Sequence, residues 1–233
     1  LPILFSFETV SAAVRGIMSI ITLIRHGQAN SAATNEADYD RLSDLGIQQA
    51  IWLGDHLRSL SIECDAAFTG SLHRQKDTFR HLGLNKQASI DERLNEIAYY
   101  DLVDCMKNQF GLTPPDGIGF IQHFQTTFAK WEAGEITNPP ETWQNYRDRV
   151  GSVLDTLRHA GANVVVVTSG GIVAMAIAHA LGLSREALVK ALIEGVNTGV
   201  TQLHYIGGSF HLKQYNAVPH LERTDRLDAR TYY

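Results

Sequence analysis

Cysteine is scarce in the 233-residue chain: only Cys64 and Cys105 occur, too few for a disulfide framework or a thiolate metal cluster. That scarcity points to a reducing compartment, and the cytoplasm is the expected location. An excess of positive charge is also missing. The 20 Lys and Arg stand against 25 Asp and Glu, a formal net charge of −5, so neither a nucleic-acid backbone nor an anionic membrane is an expected partner. No internal repeat, low-complexity tract or linker is found. The first stretch, LPILFSFETVSAAVRGIMSI, lacks a basic leader, is interrupted by Glu8 and is too short for a spanning helix. Residues 1–17 are expected to be an upstream extension outside the fold, with Met18 directly before the first strand pattern.

What is present is ordinary globular composition, 44% hydrophobic and 19% charged, in a chain of the size of one large α/β domain. IITLI at 20–24 reads as a buried strand, DAAFT at 65–69 as a second and ASI at 88–90 as a third. Between them, Ser43 and Asp44 open a helix with Ile47, Ala50, Ile51, Gly54 and Leu57 at helical spacing, and another helix runs from Ser71 to about Leu82. The stretch 99–117, with Gly111, Pro114, Pro115 and Gly117, reads as irregular connection. Two helices follow, one striped by Ile118, Ile121, Phe124, Phe128 and Trp131. The other is striped by Trp143, Tyr146, Val150, Val153, Leu154 and Leu157. NVVVVTSGG is apolar throughout, as in a parallel strand covered on both faces, and IVAMAIAHAL continues as a helix. Gly207-Gly208 separate TQLHYI from SFHLKQY in a closing hairpin. This alternation predicts an α/β fold with a mainly parallel central sheet, a single domain over 18–233, and a helical cap insertion at about 100–160.

In an open parallel sheet, ligands bind beyond the carboxyl ends of the strands. Three such ends carry unusual residues: Arg25-His26-Gly27-Gln28, TGSLHRQKDT with Arg74, and Ser169-Gly170-Gly171 opening a helix. Two guanidinium forks match the oxygens of a phosphoryl group, and N–H groups at a helix start add donors. A neutral imidazole at His26 can attack phosphorus, and Glu96 in RLNEIAYY can deliver a proton to the leaving alcohol. The histidines lack the paired spacing of a metal site, and the glycine pair after Ser169 lacks the Gly-Lys-Ser/Thr ending of a nucleotide-binding loop.

LIRHGQAN, LSDLGIQQA, TGSLHRQKDT, RLNEI, VVTSGG and YNAVPHL, in this order from about Ile20 to Leu221, resemble the histidine phosphatase superfamily, the phosphoglycerate mutase-like family. The resemblance implies a three-layer α/β/α sandwich with no metal or organic cofactor. It also implies Arg25 and Arg74 as phosphate clamps, His26 as nucleophile and Glu96 as proton donor. Gln28 and Asn30 are further candidates for phosphate binding. One position departs from the family's pattern. Where Ser-His-Gly-Gly is usual, this chain has Thr168-Ser169-Gly170-Gly171, a variant of that second histidine motif. Ser169 can cap the helix, contact the anion, or both, and the N–H groups from Gly170 onward can bind the anion. The expected function is a phosphomonoesterase forming a phosphohistidine on a small phosphorylated substrate. Its alternatives are phosphoglycerate mutase-like phosphotransfer and a phospho-ligand binding protein with little turnover.

Overall fold

The computed structural model describes residues 18–232 apart from 31, 34, 62, 116 and 117. The expectation for residues 1–17 lies outside the described residues. A six-stranded sheet has the order β3-β2-β4-β1-β5-β6. Its strands are β1 (Ser19–Arg25), β2 (Ala66–Thr69), β3 (Ala88–Ile90), β4 (Asn163–Thr168), β5 (Val200–Ile206) and β6 (Ser209–Ala217). The first four in that order run parallel; β5 pairs antiparallel with β1, and β6 antiparallel with β5. The β5–β6 turn is the expected hairpin, with Gly207 at φ 60° and Gly208 at φ 89°, both left-handed values that fit the twist of a two-residue turn.

Side chains alternate across a strand, and here the alternation divides the core in two. Ile21, Leu23, Val164, Val166 and Leu203 face one way, into the larger cluster. Ile24, Val165, Val167 and Val200 face the other. Helices α2 (Asp44–Ser59) and α3 (His73–Leu82) cover the second face through Leu53 and Leu82. The first face is covered by α4 (Tyr99–Phe110), α5 (Ile118–Glu132), α6 (Trp143–Leu157), α7 (Gly170–Leu181) and α8 (Arg185–Ile193). A four-residue helix α1 (Glu36–Tyr39) lies between β1 and α2. The result is the three-layer arrangement that two-faced, apolar parallel strands require.

Three details differ from the sequence expectation. Tyr99–Phe110 is a helix, not irregular chain, because Leu102 and Met106 are buried one turn apart; Gly111, at φ 69°, ends it. The buried face of α2 is Gly46, Gln49, Ala50, Leu53 and Gly54, with Ile47 and Ile51 only half-buried. This helix packs by backbone: a Cβ on Gly46 would lie 2.1 Å from the Gln28 carbonyl oxygen, and one on Gly54 would lie 2.1 Å from that of Leu82. On α5, Ile121 is 38% exposed, whereas Phe124, Phe128 and Trp131 are buried. The inward face therefore follows the aromatics.

Candidate active site

The site begins with a register. Arg25 is paired with Thr168 across β1 and β4, so both strands end at the same level. The His26 N–H donates to the Thr168 carbonyl at 2.8 Å, extending the ladder one step, and α7 starts directly after Ser169. Beyond these ends lies a cavity of about 370 Å³, with Arg25, His26, Tyr39, Arg74, Glu96 and Gly170 on its polar side. Of the residues expected to hold phosphate, Gln28, Asn30 and Ser169 are not brought to this wall.

His26 is held from several directions. Its carbonyl accepts from Asn197 Nδ2 at 3.2 Å and from the Thr198 N–H at 3.3 Å. Thr198 sits at φ 57°, a left-handed conformation that a β-branched residue adopts only when its surroundings force it. The hydroxyl of Thr198 donates to the Asn197 carbonyl and also meets His220 Nε2 at 2.8 Å. The next residue is pinned as well, with the Gly27 N–H donating to Thr78 Oγ1 at 2.9 Å. A Cβ on Gly27 would stand 2.4 Å from the Gly46 carbonyl oxygen, so glycine is what allows α2 to approach the loop.

The imidazole of His26 is 2% exposed, and its pKa is held well below the usual value. Burial is the largest cause, followed by the charges of Arg74 and Arg25. Nδ1 lies 2.8 Å from the Gly27 carbonyl oxygen. A neutral ring donating from Nδ1 keeps its lone pair on Nε2. The arrangement thus provides an unprotonated nitrogen nucleophile at neutral pH.

The two arginines are anchored differently. Arg25 Nη1 donates to the Gly195 carbonyl, and Nε is buried with no hydrogen-bond partner among the described residues. Arg74 is fully buried, with Nη1 3.2 Å from Asp40 Oδ1 and its guanidinium 4.9 Å from the centre of the Tyr39 ring. Asp40 also accepts from the N–H groups of His73 at 2.8 Å and Arg74 at 3.0 Å. It therefore caps α3, whose own N-cap, Leu72, has no side chain able to do so. Sequence reasoning missed Asp40. The helix starts after Leu72 rather than at Ser71, so its cap comes from Asp40, far off in the chain.

Glu96 reaches the site from the turn after a 3₁₀ segment, Glu92–Leu94. Its Oε2 accepts from the Gly171 N–H at 2.9 Å and its Oε1 from the Ile97 N–H at 3.1 Å. The buried Tyr146 hydroxyl nearby has its pKa pushed well up, first by burial and then by the Glu96 charge. Ser169 is fully buried, off the cavity wall, and receives a hydrogen bond from Gln75 Nε2 at 2.8 Å. It occupies the N-cap position of α7 but makes no side-chain cap bond. Gln28 Oε1 accepts from Ser43 Oγ at 2.7 Å, and Asn30 bonds locally to Asp38 and Ala32. Among the described residues, no group of three or more His, Cys, Asp or Glu could hold a metal ion.

Two arginines and a histidine with a lowered pKa thus meet at the carboxyl end of a parallel sheet, an arrangement whose chemistry suits a phosphoryl group. The family model of the histidine phosphatase superfamily (branch 1) matches residues 21–218, and the chain belongs to that superfamily. It is 28% identical over 204 residues to a 2,3-bisphosphoglycerate-dependent phosphoglycerate mutase of Staphylococcus carnosus, covering 74% of this chain and 89% of the relative. The fold matches that of a phosphoglycerate mutase from Bacillus anthracis with a TM-score of 0.64 at 18% identity, over 88% of this chain and 95% of the other. A mycobacterial glucosyl-3-phosphoglycerate phosphatase matches with a TM-score of 0.62 at 21% identity, over 86% and 99%. Mutases and phosphatases share this fold, so the choice between them rests on the site.

Proposed function

We propose that the chain is a phosphomonoesterase that works through a phosphohistidine at His26. The observation that carries this reading is that His26, fixed through Nδ1, shares one cavity wall with two buried arginines, Arg25 and Arg74, where burial and their charges hold its pKa well below the usual value. Arg25 and Arg74 hold the phosphoryl oxygens, the Gly170 end of α7 adds N–H donors, and Nε2 attacks phosphorus. As the N–P bond forms, the ester P–O bond breaks and the leaving oxygen takes a proton from Glu96. Water then attacks the phosphohistidine and gives a proton to Glu96. The N–P bond breaks, releasing inorganic phosphate and restoring the ring.

Ser169, in the variant Thr168-Ser169-Gly170-Gly171 segment, replaces a histidine donor to the phosphoryl group in flight. Losing one charge-assisted hydrogen bond costs roughly 1.5–3 kcal/mol, about tenfold to a hundredfold in rate. Turnover is accordingly modest. The substrate is a small phosphorylated molecule, and the helical segment at about 100–160 selects it. Gln28 and Asn30 support the loop that carries His26.

The mutase reading has the Staphylococcus carnosus relative in its favour. Against it, the only cationic side chains on the described cavity wall, Arg25 and Arg74, are both committed to the phosphoryl end. The test is hydrolysis of an aryl phosphate across pH 4–9 without added metal, for wild type, His26→Ala and Ser169→His, with phosphoenzyme trapping. Activity and an acid-labile phosphoryl label that vanish in His26→Ala, and rise in Ser169→His, are expected. Full activity in His26→Ala would overturn the mechanism. Tight phosphate binding with no turnover on any ester would leave a phospho-ligand binding protein.

A further inference from the structure

We infer that the leaving group this site accepts is a small, uncharged aromatic one, and that esters carrying a second anionic group are poor ligands. The inference rests on the phosphomonoesterase reading and adds the substrate class. Away from the phosphoryl end, the cavity is walled by Ile97, Val103, Pro114, Leu192 and a run of aromatic rings. Those rings are continuous. Tyr99 lies 5.2 Å from Phe124 between centroids, Phe120 lies 5.9 Å from Phe124, and Phe124 stacks on Phe128 at 4.6 Å.

Charged groups on the described wall are Arg25, Arg74 and Glu96, all at the phosphoryl end. A carboxylate or second phosphoryl group on the substrate would leave water to face aromatic carbon without a cation to pair with, which is strongly unfavourable. An aromatic ring gains twice, by leaving water and by edge or offset packing against Tyr99, Phe120 and Phe124. The cavity, at about 370 Å³, is near the lower end of the range for small-molecule sites and has room for a phosphoryl group with one or two rings.

Leaving-group reactivity must not mimic recognition, so the comparison uses alkyl esters of similar chemistry. The naphthyl ester, 2-(1-naphthyl)ethyl phosphate, is compared by kcat/KM with glycerol 2-phosphate and 3-phosphoglycerate, in wild type and His26→Ala. It is expected to lead by about a hundredfold or more, the scale of discrimination an apolar pocket provides. Val103→Arg, a half-exposed wall position, is expected to reduce that lead about tenfold by placing a cation among the rings. A His26-dependent activity that is equal on all three esters, or highest on 3-phosphoglycerate, would overturn the inference and leave the phosphatase reading standing. Absence of His26-dependent turnover on every ester would overturn the phosphatase reading instead. Calorimetry then decides the inference alone. Affinity for the naphthylethyl phosphonate should far exceed that for methylphosphonate, and equal affinity would refute it.

Discussion

Glu96 stands where it does because residue 171 has no side chain, and Gly171→Ala tests what that position is for. A Cβ there would lie 2.3 Å from Glu96 Oε1 and 2.8 Å from the Tyr146 hydroxyl. Tyr146 is fully buried, so the carboxylate is the partner that must yield, by about 1 Å to reach ordinary contact. Alanine favours the helix by about 1 kcal/mol over glycine, which offsets part of a steric cost of about 1–3 kcal/mol, so the fold survives. Chemistry should not. A misplacement of about 1 Å costs about 10²-fold, within the 10²–10⁴-fold that general acid catalysis supplies. The assay is kcat/KM, which ends at phosphoenzyme formation and so leaves out the hydrolysis step common to both esters, on phenethyl phosphate, whose alkoxide needs the proton, against 4-nitrophenyl phosphate, whose phenolate does not. A loss of about a hundredfold on the first and less than about threefold on the second is expected if Glu96 is the proton donor. Equal losses on both esters, or no loss on either, would refute that role.

Two further outcomes follow from charge placement. Burial, with smaller contributions from His56 and Arg226, lowers the His220 pKa from 6.5 to about 3, so the native state keeps this ring neutral while the unfolded chain protonates it. Stability is full above pH 6.5 and is lost progressively down to about pH 3. The expected loss is about 2 kcal/mol between pH 7 and pH 5, read by urea unfolding. His220→Gln should remove that part of the pH dependence, and an unchanged slope would refute it; His26 contributes in the same direction and remains in that variant. Asp40→Ala removes the cap of α3 and the carboxylate beside Arg74. It should cost about 1–2 kcal/mol of unfolding free energy, with Asp40→Asn intermediate.

Much of this architecture could be read in the sequence because its signals are local. The apolar NVVVVT run, the Gly207-Gly208 turn and the strand ends at Arg25 and Ser169 each declare themselves within a few residues. The misreadings have physical causes. Gly111 and the two prolines at 114 and 115 mark the end of a helix, and reading them as the character of the whole stretch concealed Leu102 and Met106 one turn apart. Serine at a strand–helix junction can cap the helix, touch an anion or do both, but the Ser169 side chain makes no cap bond. Gln75, 94 positions away in sequence, engages its hydroxyl instead. Asp40 carries no local mark at all, since its importance lies in a helix start 33 residues later.

Least legible is what holds His26 in place. The loop from His26 to Gln28 is hydrogen-bonded to four side chains from elsewhere in the chain: Ser43, Gln49, Thr78 and Asn197. Two of these are tied to the end of the chain. Gln49 Nε2 donates to the Ala229 carbonyl at 2.7 Å and to Thr231 Oγ1 at 2.9 Å. Thr231 Oγ1 donates to Asn197 Oδ1 at 2.9 Å, and its carbonyl accepts from the Asn197 N–H at 2.8 Å. The C-terminal segment is thus a strap joined to the His26 loop through the side-chain amides of Gln49 and Asn197. Such over-determination is what allows Thr198 to remain left-handed, at a cost on the order of 1–3 kcal/mol, and to direct its N–H at the carbonyls of Arg25 and His26. The role proposed for His26, attack on phosphorus beside two cations, needs this kind of support. In the proposed mechanism, an imidazole free to rotate would lose the geometry in which Nε2 faces phosphorus.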